Sequence, residues 1–463
     1  MKSTPTAIHE PARHTPVAWE GDLVVVGGSC TGVFAAVRAA RLGLSVALVE
    51  QGAIFGGSAT AAQVNEWHSL YDTNGQRQII AGLTAEVVNT LRSRNALNES
   101  ERGLRDRFRF NSAELAYALD ELVRSHRIRP FLQARLVSAT RTGDRIESAI
   151  LEDKSGRRAL RAGAFIDASG DGDLLRHAGF EAWKPDELQP VTLQALLHGF
   201  AEIPRLYPGA NFWNDARALA QHHGLPNRNA NPWISGYPGV DGASNVYGPR
   251  MNGVDASDAD QLSDALLQGR AYIHAYRQLA KAQYPDADVN VIAWSQALGV
   301  RETWHASCRH RLTGRALLRG ETFDDAIALG TYPIDIHHPD GTVLRWLNGT
   351  EERVGPDGIR TRHRWRDDSD SPPYYAVPYR TLLPATAENL WVAGRLIDAD
   401  QEAFGAVRVM VNCNQLGEAA GVAAALAVQE GVAAAQVDPA RLQQTLTAGG
   451  SADALSPIRS LSA

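Results

Sequence analysis

The most constraining feature of the chain is near its start. Leu23-Val24-Val25-Val26 is a short, fully apolar run that leads straight into Gly27-Gly28-Ser29-Cys30-Thr31-Gly32. An alanine-rich stretch from Val33 to Leu42 follows at helical spacing, Gly43 closes it, and a second apolar run, Ser45 to Val49, ends on Glu50. Continuous β-branched runs suit central parallel strands buried on both faces, and a glycine just past a helix takes the left-handed cap. The pattern is a βαβ unit of about thirty residues. The dinucleotide fingerprint asks for glycine at its first, third and sixth positions and an acid about twenty residues on. Gly27 and Gly32 hold the first and sixth, Glu50 supplies the acid, and Ser29 stands where the middle glycine is usual. Such a turn aims backbone N–H groups and a helix N-terminus at a pyrophosphate. The acid accepts hydrogen bonds from the adenosine ribose and repels a 2′-phosphate.

The remaining composition narrows the chemistry. The three cysteines, Cys30, Cys308 and Cys413, form no C-x-x-C pair. That excludes a disulfide framework, a cysteine-based zinc site and a locally ligated iron–sulfur cluster, so redox chemistry has to come from an organic cofactor. No metal is expected. With 46 Lys+Arg against 52 Asp+Glu, the net charge of −6 gives no electrostatic reason to expect nucleic acid or an anionic membrane as partner. No apolar run approaches the roughly 20 residues of a membrane span. The first twenty residues hold three prolines and no apolar signal core, so a cytoplasmic location is expected.

Further along, Ser112 to Ser125 reads as an amphipathic helix, and Phe131 to Val137, Arg145 to Glu152 and Ala159 to Ile166 as strands, the last two joined by a turn at Gly156. Phe165-Ile166-Asp167 then enters an acidic glycine turn, Ala168-Ser169-Gly170-Asp171-Gly172-Asp173. Ligands of open α/β sheets bind at the carboxyl ends of such strands. The span 181–375 is less regular and holds seven of the 10 tryptophans and nine of the 12 tyrosines. Large aromatics are core by default; the sharper alternative is a chamber whose aromatic faces pack on a sugar or another ring. Near the end, Leu390 to Gly394 is another strand into glycine, and Gln415 to Gln429 an alanine-rich helix.

Several of these strings carry a family resemblance. Val24–Gly32, Glu50–Thr60, Ala164–Asp173, Gln189–Thr192, Gly299–Thr303, Tyr332–His337, Val377–Leu383 and Leu390–Gly421 resemble, in this order, the FAD-dependent oxidoreductase family of the glutathione-reductase-type flavoprotein fold. The specific strings are Asp-Ala-Ser-Gly-Asp-Gly-Asp and Tyr-Pro-Ile-Asp-Ile-His; the departures are Ser29 and Asp398-Ala399-Asp400. The resemblance implies an α/β fold, with a Rossmann-like FAD-binding domain of parallel sheet, helices and a β-meander, and an inserted mixed α+β substrate domain. The expected division is a flexible arm over 1–20, a discontinuous FAD-binding domain over 21–180 and 376–434, a substrate or cap domain over 181–375, and a C-terminal helix and tail over 435–463. Carried over, Gly27, Ser29, Cys30 and Gly32 face the pyrophosphate, Glu50 and Gln51 the ribose, and Gly56, Gly57 and Ser58 the ribityl chain. Val137 belongs to the strand at the adenine edge. Ala168, Gly170 and Asp171 sit at the cofactor, and Gly394, Gly405, Ala406 and Arg408 bracket the isoalloxazine, with helix amides after Gly405 facing its N1/C2 carbonyl edge.

No second strand–glycine–helix turn follows residue 60, so NAD(P)H has no evident site of its own and a small-molecule substrate is expected to reduce the flavin directly. The electron acceptor (oxygen, a quinone or a protein) is left open. For acid–base work the candidates are His68, His337 and Arg301, the last in Arg301-Glu302, which reads either as a substrate clamp or as a structural ion pair. The expected function is hydride transfer between a small polar organic substrate, a carbohydrate or other ring alcohol or amine among them, and bound FAD. The alternatives are a nicotinamide-dependent dehydrogenase and a flavin-binding, non-catalytic subunit.

Overall fold

The structure is a computed structural model and describes residues 7–100, 107–212, 233–355, 359–367 and 371–450. The βαβ unit forms as the pattern predicts: strand β1 (Val17–Val26), helix α1 (Cys30–Arg41) and strand β2 (Val46–Glu50). Leu23, Val24 and Val25 are fully buried, as are Ala47 and Leu48. Each Val or Leu side chain removed from water contributes about 1.5–3 kcal/mol. β1 is longer than the sequence suggests. Its first residues, Val17 to Glu20, pair with Ala159 to Arg161, so the end of the expected 1–20 arm is strand.

The central sheet has seven strands. Arg129–Leu132, β2, β1 and Gly156–Asp167 run parallel in that order, and Leu390–Val392 pairs in parallel with Phe165–Asp167. Strands Arg135–Thr142, Arg145–Asp153 and Gly156–Asp167 form an antiparallel meander on the first half of that same edge. The single strand expected from Phe131 to Val137 is broken at Gln133, whose φ is +52°. The break carries the chain across the end of β2, where the Gln133 and Ala134 N–H groups donate to the carbonyls of Gly52 and Glu50. This is a Rossmann-like parallel sheet with a β-meander.

The alanine-rich helix Met410–Glu430 closes over α1 and begins five residues before the expected Gln415, and the expected C-terminal helix follows it at Pro439–Ala448. Gly417 and Gly421 lie against the carbonyls of Thr31 and Ala35; a Cβ at either would come within 2.1 Å of the carbonyl oxygen. Backbone contact this close fixes the C-terminal part on the first βαβ unit.

The buried apolar residues described in 181–375 fall mainly in two cores, while Ala306 joins a third on the other face of the central sheet. Gln194–His198, Trp233–Gly236, Ala243–Tyr247 and Asn290–Trp294 form an antiparallel sheet whose apolar face shares a core with the helix Ala259–Gln283. Ile334, Ile336 and Ala326–Leu329 instead join the large core containing α1 and the helix Met410–Glu430. Most aromatics of the span are packing residues: Tyr276 and Tyr284 lie in the second core, Tyr374 and Tyr375 in the large one. Among the described residues no helix is long and apolar enough to cross a membrane, and no group of three or more His, Cys, Asp or Glu is placed to hold a metal ion.

Candidate active site

Because five strands run parallel, the residues following them emerge on one edge. Backbone hydrogen bonds knit that edge together: Gly27 N–H donates to Val49 O (2.8 Å), Ala168 N–H to Val26 O (2.7 Å) and Ala393 N–H to Asp167 O (2.9 Å). A cavity of about 810 Å³ opens there, within the size range of small-molecule and cofactor sites. It runs from Glu50, Gln51 and Gln133, past Ser29, Gly57 and Gly170, to Arg301, Tyr332, Asp335 and Arg408.

At the first end α1 points its N-terminus at the cavity through Ser29, Cys30 and Thr31. The Ser29 side chain makes no capping bond and the first turn carries no acid, so the partial positive charge of this helix end is left for a ligand. The Glu50 carboxylate accepts from Gly28 N–H (2.7 Å) and Gly52 N–H (2.6 Å). Burial raises its pKa, and those two bonds oppose the rise. Gly56 and Gly57 come alongside through a bridge between Ser29 and Gly56.

The acidic turn after Asp167 separates into two roles. Asp167 is buried and shapes the turn, accepting from Ser169 N–H (3.0 Å), Ser169 Oγ (2.6 Å) and Leu175 N–H (2.9 Å). Asp171 faces the cavity and accepts from Arg395 (2.6 Å) and Thr303 (2.6 Å).

At the far end, strand Ile334–His338 presents Asp335 and His337. Asp335 Oδ2 accepts from Tyr332 Oη (2.8 Å) and lies 3.3 Å from both His337 Nε2 and Arg408 Nη2, while its Oδ1 is buried without a partner. Burial alone would raise the carboxyl's pKa, but His337, Arg408 and Arg250 outweigh it and hold the group well below the usual carboxylate range. His337 is engaged at both ring nitrogens, Nδ1 lying 3.1 Å from Thr342 Oγ1. Burial, aided by Arg250 and Arg301, lowers its pKa to about 3 against the pull of Asp335. His68 stacks on the Tyr332 ring (centroids 4.4 Å, 16°), and its Nδ1 is buried without a partner. Burial and then Arg107 lower its pKa to about 4. Both imidazoles are neutral at pH 7.

All three acid–base candidates, His68, His337 and Arg301, line this cavity, as do Gly27, Ser29, Cys30, Glu50, Gln51, Gly56, Gly57, Ser58, Ala168, Gly170, Asp171, Gly394 and Arg408. Four of the expected residues are absent from its lining: Gly32, Val137, Gly405 and Ala406. Gly32 sits under the turn, where a Cβ would fall 1.8 Å from the Gly27 carbonyl oxygen; its role is close helix–strand packing. In place of Val137, Gln133 and Arg135 reach the cavity, because the bend at Gln133 turns the chain toward β2. Gly405 and Ala406 belong to a short helix, Gln401–Val407, and Gly405 packs on the Asp335 backbone. The helix start that does line the cavity is the next one, at Val409, Met410 and Val411.

Arg301 and Glu302 do not pair with each other. Arg301 donates to Pro190 O (2.7 Å) and Thr192 Oγ1 (2.9 Å), whereas Glu302 meets His305 Nε2 (3.0 Å) and accepts from Gln189 N–H (3.0 Å). Arg250, Asp335 and Arg395 are site residues that the sequence reading missed. Asp335 lay inside a recognised string; Arg250 follows Gly248-Pro249 with no motif around it.

A family model described as FAD dependent oxidoreductase matches residues 22–446. Among solved structures the chain is similar to a geranylgeranyl bacteriochlorophyll reductase-like protein from Thermoplasma acidophilum (11% identity over 93% of this chain and 83% of that one, TM-score 0.44). It is also similar to a flavin-dependent brominase (10%, 89% and 80%, TM-score 0.43) and to p-nitrophenol 4-monooxygenase from Pseudomonas putida (11%, 96% and 89%, TM-score 0.38). Among curated proteins no sequence matches.

Proposed function

The chain belongs to the FAD dependent oxidoreductase family and is an FAD-dependent enzyme, and on that premise we propose that its reaction is hydride transfer between a small polar organic substrate and bound FAD. The nicotinamide-dependent and non-catalytic alternatives fall with that membership. The observation that carries the proposal is the continuity of one cavity from the Gly27–Glu50 cradle to the Tyr332–Asp335–His337 cluster.

The residues present fit the cofactor. The uncapped start of α1 suits a pyrophosphate, and Glu50, held by Gly28 and Gly52, keeps lone pairs for ribose hydroxyls. Gly56, Gly57 and Ser58 line the middle, and the start of the Met410–Glu430 helix offers positive potential at the far end. When bound, FAD supplies the two-electron acceptor.

The chain's own part is to bind and orient substrate and to move a proton. Residues of the 181–375 span (Gln194, Trp233, Tyr247, Arg250, Leu298 and Arg301) line the same cavity as the discontinuous part, 21–180 with 376–434. That supports reading the span as the substrate side. A ring substrate would meet the stacked pair Trp233 and Tyr247 (centroids 5.1 Å, 24°). His337 is occupied at both nitrogens and positions Asp335. His68, neutral and lining the cavity, is the proton acceptor of the cluster, although its low pKa limits its basicity. The test is anaerobic bleaching of the purified protein by a panel of sugars, alcohols, amines and organic acids. Bleaching by any class names the donor; a flavin that none of them reduces overturns the proposal.

A further inference from the structure

Three guanidinium groups converge on the far end of the cavity, those of Arg250, Arg301 and Arg408. A single carboxylate, Asp335, faces them. The other acids lining the cavity are occupied elsewhere: Glu66 pairs with Arg109 (3.0 Å) and Arg107 (3.5 Å), Asp171 with Arg395, and Glu50 caps backbone N–H groups at the opposite end. Arg408 is spoken for by Asp335. Arg250 and Arg301 are not: among the described residues no carboxylate lies within ion-pair distance of either. Their hydrogen-bond acceptors are neutral, Thr342 Oγ1 for Arg250 and Pro190 O with Thr192 Oγ1 for Arg301. Burial and mutual repulsion push the Arg301 guanidinium down only to about 9, so it stays charged at neutral pH, and His68 and His337 add no charge.

Partly desolvated cations are costly unless a negative group compensates them. The cavity therefore holds two positive charges in excess beside the reaction site. The same cavity is also lined by the apolar side chains of Ala256, Leu262, Leu266, Leu298 and Val300.

We infer that the substrate is an organic acid, its carboxylate held by Arg250 and Arg301 and its apolar body laid against Leu262, Leu266 and Leu298. The planar guanidinium matches a planar carboxylate in charge and in paired hydrogen bonds. This deepens the reading of the cavity as a flavin and substrate chamber and rests on it.

The test titrates the holoenzyme with benzoate, 3-phenylpropionate, their two amides and inorganic phosphate, following the flavin visible band. The carboxylates are expected to perturb the band and to bind at least about tenfold more tightly than the amides. Raised salt is expected to weaken them. Arg250→Met and Arg301→Met, each checked for retained FAD, are expected to lose about tenfold or more of that affinity. Equal affinity for acid and amide, tighter binding of phosphate than of either acid, or undiminished carboxylate binding in both variants overturns the inference. A protein that carries no FAD overturns the chamber reading instead; benzoate binding is then measured by calorimetry, and its presence or absence still decides the anion site.

Discussion

Ser29 Cβ lies 2.9 Å from the point that a Cβ on Gly57 would occupy. The serine that replaces the middle glycine of the fingerprint therefore has its space made by a glycine on a different segment. Gly57 is also in the left-handed region (φ +54°), so it meets two demands at once. Gly57→Ala should cost about 1–2 kcal/mol for the backbone conformation and about 1–3 kcal/mol for the contact, and should lower flavin occupancy. Adding Ser29→Gly should restore the contact part alone. Thermal melts of the wild type, both single variants and the double variant check this; strict additivity would mean the two sites are not coupled.

Glu50→Lys removes the acceptor of two backbone N–H groups and puts a cation at the lip of the cavity. FAD retention should fall by at least about tenfold, read as the visible-to-ultraviolet absorbance ratio after gel filtration. The flavin released from the wild type by heat should be FAD and not FMN. Undiminished occupancy in the variant would mean that this acid does not touch the cofactor.

His68→Ala should slow anaerobic flavin reduction by a good substrate by roughly 10²–10⁴-fold, with the FAD spectrum and melting temperature close to wild type. His337→Asn should slow it less and should alter the flavin spectrum, since it perturbs Asp335, which lies against Arg408. Wild-type rates in both variants would place the proton acceptor elsewhere.

The two histidines also set a sign for pH dependence. Their folded pKa values, about 4 and about 3, lie below the ordinary 6.5, so between these limits the unfolded chain binds more protons. Their contribution to stability is therefore complete above pH 6.5 and is lost as pH falls toward 3. Asp173, raised to about 7 by burial and by Asp167 and Asp171, titrates in the opposite sense, so the check is a difference. The melting temperature of His337→Asn should fall less steeply than that of the wild type between pH 6.5 and 4, and parallel curves would refute the assignment.

NADH and NADPH should reduce the bound flavin no faster than background, because the sequence carries one dinucleotide turn and α1 commits it to FAD. Stopped-flow bleaching by micromolar NADH would contradict this.

Sequence alone determined the part of the molecule built from local rules. Leu23 to Glu50 read as βαβ because strand, glycine turn, helix and terminal acid are contiguous, and each obeys a short-range steric or electrostatic preference. The meander was legible for the same reason, with Gly156 marking its last turn. Tertiary structure alone decided which side chains meet. Asp335 joins His68, Arg250 and Arg408 across gaps of up to 267 residues, and no local pattern encodes that meeting. Gly32 and Gly405 had the right residue type but were spent on close backbone packing. Val137 lost its place to Arg135 because one left-handed residue, Gln133, redirected the strand. Local propensity acts over a few residues, whereas a cavity is lined by whatever the packed elements bring to one edge of the sheet.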